Sequence, residues 1–153
     1  MTRPSQDVGK SGYVRGMFER IVPRYDLLNC LISGGQDGRW RRKLARATVS
    51  AGQGPVLDVA TGTGSQAVSL LEQGRARVVG VDFTASMLAR ARDKADGARL
   101  ALVQADALHL PFSDGSFAAA TTSFAMRNVD DVETAFREMR RVVRSGGLVA
   151  CLE

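Results

Sequence analysis

The stretch Pro55-Val56-Leu57-Asp58-Val59-Ala60-Thr61-Gly62-Thr63-Gly64 constrains the fold of this chain more than any other. Val56, Leu57, Val59 and Ala60 form a short apolar run, the pattern of a strand buried on both faces in a parallel sheet. The run ends in a glycine-rich turn. Gly62 and Gly64 have no Cβ, so the backbone bends tightly there and a ligand can approach its amides. A helix is predicted from about Ser65, with Ala67, Val68, Leu70 and Leu71 covering the sheet. Strand, glycine turn and helix in that order make a nucleotide site at the carboxyl edge of a sheet.

The next strand narrows the ligand. Arg77-Val78-Val79-Gly80-Val81-Asp82 is a second apolar run, and it closes in a carboxylate nineteen positions after Thr63. An acid at that separation is placed to accept hydrogen bonds from both hydroxyls of a ribose, which suits NAD and S-adenosylmethionine alike. Asp58 favours the second. An acid ahead of the glycines attracts a ligand with a sulfonium and an ammonium, whereas it would repel a pyrophosphate. Asp106 closes the third strand, Leu100 to Val103, as Asp82 closes the second. It is placed to meet the exocyclic amine of adenine, with the Ala107 amide on a ring nitrogen. Ser123 closes the fourth strand, at the methionine end of the same ligand.

The remaining pattern alternates helices with strands, which means an α/β fold with a parallel sheet and helices on both faces. Residues 1–53 read as an amino-terminal helical segment and 54–153 as the nucleotide-binding core, together one domain. In the first segment Met17, Phe18, Ile21 and Val22 share a helical face. Tyr25, Leu28, Leu31 and Ile32 follow until Ser33-Gly34-Gly35 ends the run. A third helix from about Asp37 is expected to turn Trp40, Leu44 and Ala47 to one side, with Arg39, Arg41, Arg42, Lys43 and Arg46 around the rest. Thr84 is a predicted N-cap for a helix to about Ala95. Asp130 and Glu133 are expected as a capping-box pair for a helix that points Val132, Ala135, Phe136, Met139 and Val143 inward and stops at Gly146-Gly147. Leu148 to Glu153 is the fifth strand.

Charge divides the chain as the patterning does. Residues 1–50 hold ten Lys/Arg against four Asp/Glu, and residues 51–153 hold eleven against twelve. The basic stretch 39–46 reads either as a solvated helix face or as a contact for anionic lipid head groups. No run approaches the ~20 apolar residues that span a bilayer, and Met1 to Asp7 has no apolar signal core. Cys30 and Cys151 lie in apolar contexts without Cys-x-x-Cys spacing, and His109 is the single histidine. No metal site is expected, and reduced core cysteines in a cytoplasmic protein are the natural reading.

With these residues in view, the sequence resembles the C-methyltransferases of menaquinone and ubiquinone biosynthesis. Met17-Phe18-Glu19-Arg20-Ile21-Val22-Pro23-Arg24-Tyr25-Asp26-Leu27-Leu28-Asn29, followed by Ser33 and Trp40, is similar to the family's amino-terminal signature. Phe124-Ala125-Met126-Arg127-Asn128-Val129 is similar to its Phe-Gly-Leu-Arg-Asn-Val. Arg141-Val142-Val143-Arg144-Ser145-Gly146-Gly147 through Leu152-Glu153 is similar to its second signature, with Ser145 in place of the usual proline. Asp37 stands where a histidine is common, and Ser65 where an acid is usual.

The resemblance implies a Rossmann-like class I methyltransferase fold, S-adenosylmethionine as cofactor, and cofactor contacts at Thr63, Asp82, Asp106, Ala107 and Ser123. It implies methyl transfer to a ring carbon of a demethylated, lipidic polyprenyl quinol, with Arg127 and Asn128 steadying the ring oxygen and Tyr25 closing over it. It also implies further strands and helices beyond Glu153, so the fifth strand is expected as an open edge prone to self-association. No nucleic-acid partner is expected, and the protein is read as cytoplasmic with peripheral membrane contact through 39–46. Two other readings stand beside this one. One is a methyltransferase-like protein that binds cofactor without turnover. The other is an NAD-binding oxidoreductase, against which speak Asp58 and the absence of a Tyr-x-x-x-Lys hydride-transfer pair.

Overall fold

A computed structural model of the protein describes residues 31–74, 76–94 and 97–153. The expected helices before residue 31, with Tyr25 and Cys30, lie outside the described residues. The elements are α1 (Asp37–Ser50), β1 (Val56–Val59), α2 (Ser65–Glu72), β2 (Val78–Asp82), α3 (Ala85–Lys94), β3 (Leu100–Gln104), β4 (Phe117–Ser123), a 3₁₀ turn (Met126–Asn128), α4 (Val132–Val142) and β5 (Val143–Leu152).

All five strands are parallel, in the order β3-β2-β1-β4-β5. The chain winds outward from β1 through β2 to β3, then returns to lay β4 against the other side of β1. Beside such a reversal the carboxyl ends of the strands of an open α/β sheet border the crevice in which ligands bind. The central strands are sealed: every residue of β1 and β4 is buried, whereas β3 and β5 are largely half-exposed.

Alternation along β1 builds a core on each face. Val56 joins Val78 with Ala45 of α1 and Ala67, Leu70 and Leu71 of α2. Leu57 and Val59 join Val81, Phe117, Ala120 and Leu110 with Met139 and Val142 of α4. Each fully buried Leu or Val contributes about 1.5–3 kcal/mol relative to exposure, so these two clusters dominate the stability of the sheet. Phe112 meets Phe117 edge-on, with centroids 4.9 Å apart. Arg141 pins the loop before β4, donating to the carbonyls of Leu110 and Phe112 and to Asp114 and Glu138.

Four expectations are corrected. The inward face of α1 is Arg41, Ala45 and Thr48, while Trp40 is 38% exposed and Ala47 is exposed. Packing α1 across α2 and the end of β4 turned the helix by about one position. The cap of α4 is Asp131, which accepts from the amide and hydroxyl of Thr134, while Glu133 pairs with Arg137 instead of reaching back. That helix ends at Val142, not at the glycines, because Val143 already pairs with Phe117. The register then shifts so that Leu148 meets Ala119, and Gly146 at φ +78° absorbs the irregularity. Cys151 is exposed on β5 rather than in the core.

Candidate functional site

The glycine turn follows β1 as a strongly curled segment. Ala60, Gly62 and Gly64 have positive φ values of 54°, 55° and 82°. At Gly64 glycine is required twice over: a side chain would be strained at that φ, and its Cβ would lie 2.9 Å from the Cβ of Ala91 on α3. The turn therefore sits tight against α3, and α2 starts directly after it.

Asp82 organises the turn from the neighbouring strand. Its Oδ2 accepts from the Gly62 amide and its Oδ1 from the Thr84 amide, both at 2.9 Å. Burial pushes the Asp82 carboxyl up, and those two amides pull it back. A carboxylate has about four acceptor positions, so Asp82 keeps acceptor capacity beyond these two amides. The Gly62 amide, expected as an open ligand contact, is already used by this bond.

Asp58 lies deeper than the sequence suggested. It sits inside β1 at 1% exposure, its Oδ2 accepting from the Thr61 hydroxyl at 2.6 Å and its Oδ1 from the Thr121 hydroxyl at 3.1 Å. Burial pushes its carboxyl up to about 6, against the two hydroxyls and the nearby Arg41 charge, which lower it. Asp58 thus braces the floor of the crevice, tying the first turn residue to β4. Gly80, opposite it on β2, makes room: a Cβ there would crowd the Thr61 side chain at 3.0 Å.

The other expected contacts spread along the same edge. The Thr63 hydroxyl accepts from Lys94 Nζ at 2.9 Å, and that ammonium also reaches Ser65 at 3.2 Å. Asp106 is exposed beyond β3 and accepts from the Leu108 amide, which fixes the turn carrying Ala107. Ser123 closes β4 and accepts a 2.6 Å hydrogen bond from Arg41 Nη1. Arg127 and Asn128 lie in the 3₁₀ turn after β4, and the Arg127 side chain is 59% exposed.

Two residues of this region were not singled out from the sequence. Arg41 was grouped with the basic helix face, yet it is buried at 6% exposure and points to the end of β4. Glu153 holds the loop that carries Arg127: its Oε1 accepts from the amides of Ala125 and Met126, both at 2.8 Å, and its Oε2 from Arg127 Nε at 2.9 Å. Phe124 enters this loop with φ +53°, tied to the Leu152 carbonyl at 2.7 Å. A carboxylate closing β5 beside an arginine after β4 was the available signal for Glu153. For Arg41 there was none, since its partner is 82 positions away.

The strand-end acids, the glycine turn and the Arg127 loop all follow the carboxyl ends of parallel strands of one sheet. The family model described as the ubiE/COQ5 methyltransferase family matches residues 6–153. The chain belongs to that family. It is 46% identical to a demethylmenaquinone methyltransferase of Roseiflexus sp. (strain RS-1), over 94% of this chain and 61% of that protein. Against the enzyme of the same name from Thermus thermophilus the identity is 48%, over 90% and 64%. Against the ubiquinone/menaquinone biosynthesis C-methyltransferase UbiE of Geobacter sp. (strain M21) it is 45%, over 94% and 64%. The chain spans less than two thirds of the length of these relatives. Among solved structures, it resembles a S-adenosyl-L-methionine-dependent methyltransferase from Methanococcus maripaludis at TM-score 0.68 and 21% identity, covering 99% of this chain and 67% of that one. It also resembles the [4+2]-cyclase SpnF at TM-score 0.71 and 26% identity, covering 88% and 58%. The fold is the Rossmann-like class I methyltransferase fold.

Proposed function

We propose that this chain is the S-adenosylmethionine-binding core of a C-methyltransferase that acts on a demethylmenaquinol or related polyprenyl hydroquinone. The observation that carries the reading is the family match across residues 6–153, which includes both the glycine turn and the Arg127 loop. The fit to the cofactor rests on three features. Gly64 is packed so closely that the turn cannot carry a side chain. Asp82 keeps acceptor capacity at the crevice floor. The buried Arg41 guanidinium lies over the end of β4.

When bound, S-adenosylmethionine supplies an electrophilic methyl group on a cationic sulfur. The chain's own residues bind, orient and stabilise charge. Asp82 and the Asp106–Ala107 turn hold the adenosine side of the crevice, with Gly62, Thr63 and Gly64 shaping its middle and Asp58 bracing the floor beneath. Methylation at carbon requires the quinol hydroxyl to lose its proton, so that the ring carbon attacks as a phenolate. The ring proton at that carbon then leaves to water. A guanidinium does not give up its proton at neutral pH, so Arg127 stabilises the ring oxyanion by hydrogen bonding, with Asn128 beside it. SpnF shows that a chain of this fold can be named for different chemistry, which is why the reading rests on the family rather than the fold.

Side chains on and just before α1 support the reading of a lipidic substrate. Arg39, Arg42 and Lys43 are exposed beside Trp40, and Leu31 and Ile32 are 67% and 84% exposed. Basic and apolar side chains side by side support contact with an anionic membrane surface from the cytoplasmic side, at about 1 kcal/mol per basic residue. No helix of the described residues is long and apolar enough to cross a membrane. Strand β5 forms one edge of the described sheet, which supports association there with further chain or a second copy.

Transfer of labelled methyl to a demethylmenaquinol tests the reading. Arg127→Ala is expected to lower turnover by about 10²–10³-fold while S-adenosylhomocysteine affinity stays unchanged. A parental rate in that variant would reduce Arg127 to a loop residue. Cofactor binding without any transfer by the parent would favour the non-catalytic reading.

A further inference from the structure

At the amino edge of the sheet, opposite the end that carries the glycine turn, the chain forms a second hollow. Its volume is about 520 Å³, and Arg137, Arg140, Arg141 and Arg144 line it together with Ser145 and the turn at Asp114 and Gly115. The topology puts these residues together. The last turn of α4 runs straight into β5, whose first residue, Val143, pairs with Phe117 at the start of β4. Arg137, Arg140 and Arg141 share one face of α4, being three and four positions apart.

The four arginines are not equivalent. Arg141 is fully engaged, donating to Glu138, Asp114 and the carbonyls of Leu110 and Phe112. Arg137 pairs with Glu133. Arg140 and Arg144 are exposed, and among the described residues none accepts a hydrogen bond from either or pairs with it. Arg144 is nevertheless seated against backbone. A Cβ at Gly52 would lie 2.7 Å from its Nη2, one at Gly54 3.9 Å from its Nη1, and one at Gly115 3.7 Å from its Cα. The missing side chain at Gly52 leaves the space that the guanidinium fills. A cation held in this way has already given up rotamer freedom that binding would otherwise cost. Its five N–H donors keep no protein acceptor.

The lining selects the kind of ligand. Asp114 is the one acid among the lining residues, and it is taken by Arg141. Guanidinium forks match the oxygens of a phosphate in pairs, and the Ser145 hydroxyl adds a donor beside them. No aromatic ring lines the hollow for a base to stack on. An anchor for a lipid surface is missing too: Leu31, Ile32, Trp40 and Val132, the exposed large apolar side chains of the described residues, all lie outside it.

We propose that this hollow binds a soluble phosphate-bearing anion, held by Arg140 and Arg144 with Arg137 and Ser145 at its border. The site shares no residue with the crevice at the other edge of the sheet, so it stands apart from the methyl-transfer reading. Gly52 and Gly54 lead into β1, and an anion on Arg144 therefore fastens that linker to the start of β5.

Calorimetry with inorganic diphosphate at about 0.15 M salt tests the assignment. The chain is expected to take one diphosphate with a dissociation constant below about 1 mM. Arg140→Gln and Arg144→Gln should each weaken it about tenfold, the scale of one charged hydrogen-bonded contact. Arg39→Gln and Arg42→Gln on α1 remove the same charge elsewhere and should leave affinity within about twofold. Equal weakening by the α1 variants would make the attraction one of net charge and overturn the proposal, as would the absence of one-to-one binding in the parent. The unmutated chain gives an independent readout. Its melting temperature should rise with diphosphate at constant ionic strength, and an unmoved melting temperature counts against the site. Sedimentation with phosphatidylglycerol vesicles separates the two sources of phosphate. The Arg140→Gln/Arg144→Gln double variant should sediment as the parent does. Loss of vesicle binding in that variant, with no diphosphate bound by the parent, would assign the hollow to a lipid surface and overturn the soluble ligand.

Discussion

The two sides of the crevice are built differently. On the β1–β2 side, carboxylates work inward: Asp58 and Asp82 are 1% and 7% exposed, and their four described bonds go to hydroxyls and amides of the protein. On the β4–β5 side, Glu153 and Arg127 are partly solvated, and together they hold a loop rather than a strand end. The first side is a cradle whose shape depends on backbone geometry. The second is a rim whose loop is tied by one carboxylate.

The largest test of that contrast is on the cradle. Gly64→Val combines a left-handed residue, about 1–2 kcal/mol, with overpacking against Ala91, about 1–3 kcal/mol. Denaturant unfolding should show a loss of about 3 kcal/mol or complete failure to fold, and a small loss would mean the turn is softer than its packing implies.

Asp58 adds a pH signature. Its carboxyl is raised from the ordinary 3.8 to about 6, so the folded protein binds its proton more tightly than the unfolded chain. Protonation therefore stabilises the fold. That contribution is complete below about 3.8 and is lost as pH rises through about 6, a decline on the order of 3 kcal/mol at 1.36 kcal/mol per unit. Asp58→Asn removes this component, so the melting temperatures of parent and variant should diverge between pH 4 and 7, scanned at about half-unit steps. Parallel curves would place the proton elsewhere, with Asp82 the nearest other raised carboxyl.

Asp82→Ala should weaken S-adenosylhomocysteine binding by about 1.5–3 kcal/mol, because it removes a charged acceptor and frees the Gly62 amide. Unchanged affinity by calorimetry would leave Asp82 a purely structural brace.

On the rim the effect is smaller. Glu153→Ala should cost about 1 kcal/mol of stability, given its partial exposure, and chiefly loosen the loop. Hydrogen exchange at the Ala125 and Met126 amides should accelerate while the Gly62 amide stays protected. Equal acceleration at both would erase the distinction between cradle and rim.

Adjacency in sequence decided what was legible beforehand. The glycine turn, the acid nineteen positions on, the helix from Ser65 and the parallel alternation all follow from local patterns. Backbone conformation and side-chain polarity act there over a turn or a strand, so single residues such as Gly64 and Asp82 declare their places in the turn and at the strand end. What needed the tertiary structure was every contact in which a distant element chose the partner. Arg41 reads as one more charge on a polar helix until α1 packs across α2 and brings it to Ser123, 82 positions away. Asp58 reads as a ligand contact until Thr121 of β4 is laid beside it and the pair is sealed from water. Periodicity fixes which residues can share a face, but only the competition among all faces for burial decides which one turns inward.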